Sequence, residues 1–89
     1  MIPEKLQLLR DELDILDNEI TEKLSRRFLI TKKIWQVKKR NELPKHDPMR
    51  EQEKLAEISK VAVKHNLSPD ITKNIFEKIM GETRSTYID

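Results

Sequence analysis

EKLQLLRDELDILDNEITEKLSRRFLITKKIWQVKKRNEL, residues 4–43, contains neither Gly nor Pro and places an apolar residue at every third or fourth position of its first half. Leu6, Leu9, Leu13, Leu16 and Ile20 follow one another at spacings of three, four, three and four, which is the seam of a packed α-helix. A helix from about residue 4 to 41 is roughly 57 Å long at 1.5 Å per residue. A compact domain of 89 residues has a radius of gyration of about 12 Å, hence a diameter of about 30 Å. The remainder of the chain is too short to cover such a helix. Its second half needs cover on several sides, because Phe28, Leu29, Ile30, Ile34, Trp35 and Val37 surround the axis. The pattern predicts an all-α fold with three helices per chain, one of them very long, in an intertwined six-helix homodimer.

Beyond this stretch, Leu43-Pro44-Lys45-His46 breaks the helix and Asp47-Pro48 starts another, with Asp as the cap and Pro at the first helical position. The second helix, about 48–65, carries Leu55, Ile58 and Ala62 on one face and closes at Asn66-Leu67. Ser68-Pro69 repeats the cap-and-proline signal for a third helix, about 69–86, whose expected inward stripe is Ile71, Ile75, Ile79, Thr83 and Tyr87. Gly81 costs that helix about 1 kcal/mol relative to Ala, and marks either a close helix contact or an early end. With no internal repeat or low-complexity segment, residues 1–89 read as a single domain.

Composition narrows the function. Eighteen basic and sixteen acidic residues give a formal charge of +2, too balanced to demand nucleic acid as a partner, though a small anionic ligand fits. No apolar run is long enough to span a membrane, and Met-Ile-Pro-Glu-Lys lacks the apolar stretch of a signal peptide, so a cytoplasmic protein is expected. The absence of Cys excludes disulfides, thiol nucleophiles and thiolate metal sites. His46 and His65 are far apart in sequence, and no metal site is expected.

Some polar residues break the apolar pattern. The column Leu6, Leu13, Ile20 continues through Arg27 to Ile34, which puts a guanidinium among inward-facing neighbours. A buried guanidinium requires a partner. The adjoining column reads Arg10, Asp17, Leu24, Thr31, Lys38, and Glu51, next to Arg50, shares a stripe with Leu55 and Ile58. One reading is a cavity lined by Arg10, Arg27, Lys38 and Arg50 that binds a small dianion, since carboxylates match the planar fork of Arg. The other is that charges beside a seam set helix register: Arg10 pairs with Asp14, Asp17 meets a partner-chain cation, and Lys32, Lys33, Lys39 and Arg40 form a solvated face. On that second reading Thr83, Tyr87 and Trp35 are core or interface residues, and the two histidines are exposed. Periodicity leaves both readings open.

The ordered set Leu9-Arg10, Leu16-Asp17, Arg26-Arg27, Lys38 and Asp47-Pro48-Met49-Arg50-Glu51 resembles the all-helical class of chorismate mutases over essentially the whole chain. The resemblance implies a shared site in each half of a homodimer. Arg27, Lys38 and Arg50 of one protomer and Arg10 of the other would hold the two carboxylates of chorismate. Glu51 would accept from the substrate hydroxyl, Asp47 would contribute through its backbone, and Thr83 stands where the family has a small polar residue near a carboxylate. Lys38 and Arg27 would act in catalysis together with Tyr87, which occupies the position where the family commonly has Gln or Glu on the ether oxygen. A phenol can donate a hydrogen bond, but it is longer than Gln, so reaching the same place requires a shift in the third helix. The implied reaction, chorismate to prephenate on the way to Phe and Tyr, is a unimolecular rearrangement that calls for no cofactor, nucleophile or metal.

Two alternatives accompany this expectation. An isochorismate-pyruvate lyase shares the fold but tends to lack carboxylates equivalent to Asp47 and Glu51, both present here. The other is a non-catalytic helical dimerisation or interaction module that binds a partner helix or, through Lys32 to Arg40, nucleic acid.

Overall fold

The computed structural model describes residues 1–87, which form three α-helices, α1 (Glu4–Arg40), α2 (Pro48–Lys64) and α3 (Pro69–Tyr87). No strand occurs among the described residues. The all-α expectation is met.

The first helix starts at the Pro3 carbonyl, which accepts from the amides of Leu6 and Gln7 at 3.0 and 3.2 Å. Glu4 in the first turn and Lys38, Lys39 and Arg40 in the last complement the helix dipole. At its C-terminal end the chain enters the left-handed region at Glu42 (φ 53°). There the Leu43 amide donates to the Lys38 carbonyl at 2.9 Å and the Glu42 amide to Lys39 at 3.3 Å. This six-to-one, five-to-two pair is a Schellman closure. The second helix ends the same way, with Asn66 at φ 58°, Leu67 donating to Ala62 at 2.9 Å and Asn66 donating to Val63 at 3.2 Å. Asn tolerates that backbone conformation; Glu has no comparable local compensation.

The chain divides into two compact units, Met1–Lys33 and a second that begins at Ile34. The first is helical from Glu4 onward and contains no buried residue. Its seam residues Leu13 and Ile20 are 55% and 57% exposed.

In the second unit α2 packs against α3. Ile58, Ala62 and Met80 are buried, and Leu55, Phe76 and Ile79 are half-buried around them. Burying a side chain such as Ile58 or Met80 contributes about 1.5–3 kcal/mol. The expected face of α2 is therefore the observed one. On α3 the expected stripe is met in its second half, where Ile79, Thr83 and Tyr87 are half-buried, but Ile71 and Ile75 are 62% and 55% exposed, and the side turned to α2 runs through Phe76, Ile79 and Met80. The third helix is apolar on two faces, and periodicity could not say which of them α2 takes. Gly81 neither ends α3 nor sits against another backbone, and the helix continues to Tyr87.

Glu42 combines an unfavourable backbone conformation with a negative charge just past a helix C-terminus. Replacing it by Gly should raise stability by about 1 kcal/mol, seen as a higher denaturant midpoint with an unchanged slope.

Candidate active site

The second unit gathers most of the polar residues expected at a site. Asp47 caps α2: its carboxylate accepts from the Arg50 amide at 3.1 Å, Pro48 follows at the first helical position, and Glu51 lies in the first turn. The cap fixes the direction in which the first turn of α2 presents Arg50 and Glu51. Arg50 is exposed, whereas Glu51 is half-buried.

Glu51 is held from two sides. Nη1 of Arg84, near the end of α3, makes an ion pair with Oε1 and lies 2.7 Å from Oε2. Nε2 of His46, in the connection before α2, is 3.1 Å from Oε2. An ionised carboxylate only accepts, so that ring nitrogen carries the proton in this contact. On the other side of the connection, Nζ of Lys38 donates to the Lys45 carbonyl at 3.3 Å.

Near the end of α3 the Tyr87 ring stacks on Trp35 of α1, with centroids 6.1 Å apart and planes 25° from parallel. Lys39 Nζ lies 5.2 Å from the Trp35 centroid, within cation–π range. Thr83 donates to the Ile79 carbonyl one turn back at 2.8 Å.

These contacts close into a ring. Lys38 ties to Lys45, the neighbour of His46; His46 meets Glu51; Glu51 meets Arg84; one turn on, Tyr87 meets Trp35; and one turn after Trp35 the chain returns to Lys38. Lys38, Glu51 and Tyr87 therefore belong to one linked patch at the ends of three helical segments, with Asp47 and Arg50 in the cap next to Glu51 and Thr83 bonded within α3. Arg10 and Arg27 lie in the first unit, Arg10 exposed and Arg27 half-buried. The anticipated pairing of Arg10 with Asp14 is not made among the described residues. Two participants were not anticipated, Arg84 and His46, and both act on Glu51. No cluster of three or more metal-ligating side chains occurs among the described residues.

Residues 9–86 match the chorismate mutase type II family. The chain belongs to this family. Among proteins it resembles, the chorismate mutase of Methanocaldococcus jannaschii is 28% identical over 82 residues, covering 92% of this chain and 83% of that protein. The T-protein of Enterobacter agglomerans is 29% identical over 85 residues, 96% of this chain but only 23% of that much longer protein. The family match spans every residue of the linked patch except Tyr87, which lies one position beyond its end.

Trp35 is the only tryptophan of the chain and Tyr87 the only tyrosine, so their stacking can be read directly from fluorescence. Tyr87→Ala should shift Trp35 emission to longer wavelength and lower stability by about 1 kcal/mol, the usual scale for an aromatic pair. Tyr87→Phe, which keeps the ring, should leave the emission in place.

Proposed function

We propose that this member of the chorismate mutase type II family is an isomerase that converts chorismate to prephenate in the biosynthesis of Phe and Tyr. The observation that carries the reading is the family match over residues 9–86, together with the linked patch that joins Lys38, Glu51 and the end of α3. In this rearrangement one C–O bond breaks as one C–C bond forms within a single molecule. The protein must hold a compact conformer and stabilise charge developing on the ether oxygen. Lys38 is the charged donor to that oxygen and Tyr87 the neutral one. Arg10, Arg27 and Arg50 bind the two carboxylates, assisted by Thr83, and Glu51 accepts from the hydroxyl with Asp47 at the same end.

The enzyme works, on this reading, in the cytoplasm as an intertwined six-helix homodimer whose two sites are shared. Support comes from α1: a helix with apolar residues at seam spacing and none buried needs a second surface, and a second copy offers the same seam. Arg10 is assigned to the partner's site, and Arg27, Lys38 and Arg50 to their own.

Purified protein should consume chorismate and release prephenate. Lys38→Ala should lower kcat/KM by roughly a hundredfold or more, the scale for loss of one donor to a developing oxyanion. A wild-type chain that leaves chorismate unchanged would refute the reading.

The shared site has its own test. Arg10→Ala and Arg50→Ala chains should each be inactive alone and regain activity when mixed and allowed to exchange subunits. In the mixed dimer one site carries both lesions and the other carries none. A mixture that forms heterodimers yet stays inactive would show that Arg10 acts within its own protomer's site.

A further inference from the structure

We infer that Arg84 is a positioning residue that fixes the Glu51 carboxylate for its role as acceptor of the substrate hydroxyl, an inference that rests on the mutase reading above. The two residues are 33 positions apart and come from the first turn of α2 and the last part of α3. A single guanidinium nitrogen, Nη1, touches both carboxylate oxygens. A grip on both oxygens restrains rotation of the terminal carboxylate in a way that a contact to one does not. His46 adds a second contact at Oε2. A carboxylate has about four acceptor sites on its two oxygens, so these contacts leave room for a hydroxyl donor.

Burial places the pair where it can serve this purpose. The side chain of Glu51 is 27% exposed and that of Arg84 is 39% exposed. Glu51 is thus reachable by a ligand yet shielded enough that its orientation is set by neighbours rather than by water. The guanidinium itself is folded back along α3, with Nη2 only 3.7 Å from where a side-chain carbon on Gly81 would stand. It lies on the same side of the helix as Met80, which is buried in the contact with α2. That path carries the charge from α3 to the start of α2.

A partly exposed ion pair of this kind contributes little to folding, so a purely structural role predicts a small change in stability and a correspondingly small change in rate. A positioning role predicts more. Arg84→Ala should lower kcat/KM by roughly tenfold with little change in thermal midpoint, and Arg84→Lys, which keeps a cation within reach, should recover most of that loss.

The decisive measurement is a double-mutant cycle with Glu51→Gln, assayed as chorismate conversion by the purified protein. If Arg84 acts through the Glu51 carboxylate, adding Arg84→Ala to Glu51→Gln should change kcat/KM by less than about twofold. Full multiplication of the two losses would overturn the inference, because Arg84 would then act on substrate directly or through general stability. Loss of activity in Glu51→Gln with none in Arg84→Ala would overturn it alone and leave the mutase reading intact. A wild-type protein inactive on chorismate, or an unaffected Glu51→Gln variant, would remove its basis.

Discussion

The constraint on which the rest of the molecule depends is the surface of α1. A helix of 37 residues in which none is buried, and in which only Leu24, Phe28 and Trp35 among the large apolar side chains are half-buried, adds little to hydrophobic stability in a single chain, while each ordered residue costs about 1–2 kcal/mol in backbone entropy. Ile58, Ala62 and Met80 are the only buried apolar residues among the described residues. So small a core does not offset that cost. In the proposed dimer a second copy covers Leu6, Leu13 and Ile20 and removes this deficit. On the proposed reading the dimer serves folding as well as catalysis, and sharing Arg10 with the partner's site follows from the same arrangement.

Much of this was legible in the sequence, and for identifiable reasons. Asp47-Pro48 and Ser68-Pro69 state their positions twice, once by a side chain that accepts from a free amide and once by a ring that cannot continue a preceding helix. The caps are made as expected, Asp47 to the Arg50 amide and Ser68 to the Ile71 amide. The face of α2 was legible because Leu55, Ile58 and Ala62 recur at helical spacing, even though Val61 and Val63 lie exposed elsewhere on the helix. The face of α3 was not, because Ile71 and Ile75 on one side and Phe76, Ile79 and Met80 on another are equally apolar. Which of them meets α2 is a tertiary choice that periodicity does not encode.

The exposed first half of the expected α3 stripe and the missed residue have one cause. Arg84 stands four residues after Met80 and eight after Phe76, so it continues the stripe that α2 covers. A reader following Ile71, Ile75 and Ile79 arrives at Thr83 and passes Arg84 by. The contact with Glu51 spans 33 residues and leaves no periodic trace. The only signal available was a long cation on the flank of an apolar helix, and α1 carries several of those. His46 was missed for a different reason. It precedes its partner by five residues across a helix start, where neither helical nor extended spacing applies.

Glu51 and Lys38 are held in different ways, and the difference suits the proposed chemistry. Glu51 is clamped between a guanidinium and an imidazole, with charge-assisted contacts that are shorter and roughly twice as strong as neutral ones. Lys38 is tied only to the neutral carbonyl of Lys45, at 3.3 Å, a long hydrogen bond with a net contribution of about 1 kcal/mol. On the proposed reading, Glu51 as acceptor for a hydroxyl is best held in place before the substrate arrives, since its task is to select one orientation. A donor to an ether oxygen is needed most when charge develops there, and it gains by exchanging a weak neutral contact for a stronger one as that charge grows. A carboxylate held by two partners and an ammonium held by one long hydrogen bond fit the division of tasks proposed for Glu51 and Lys38.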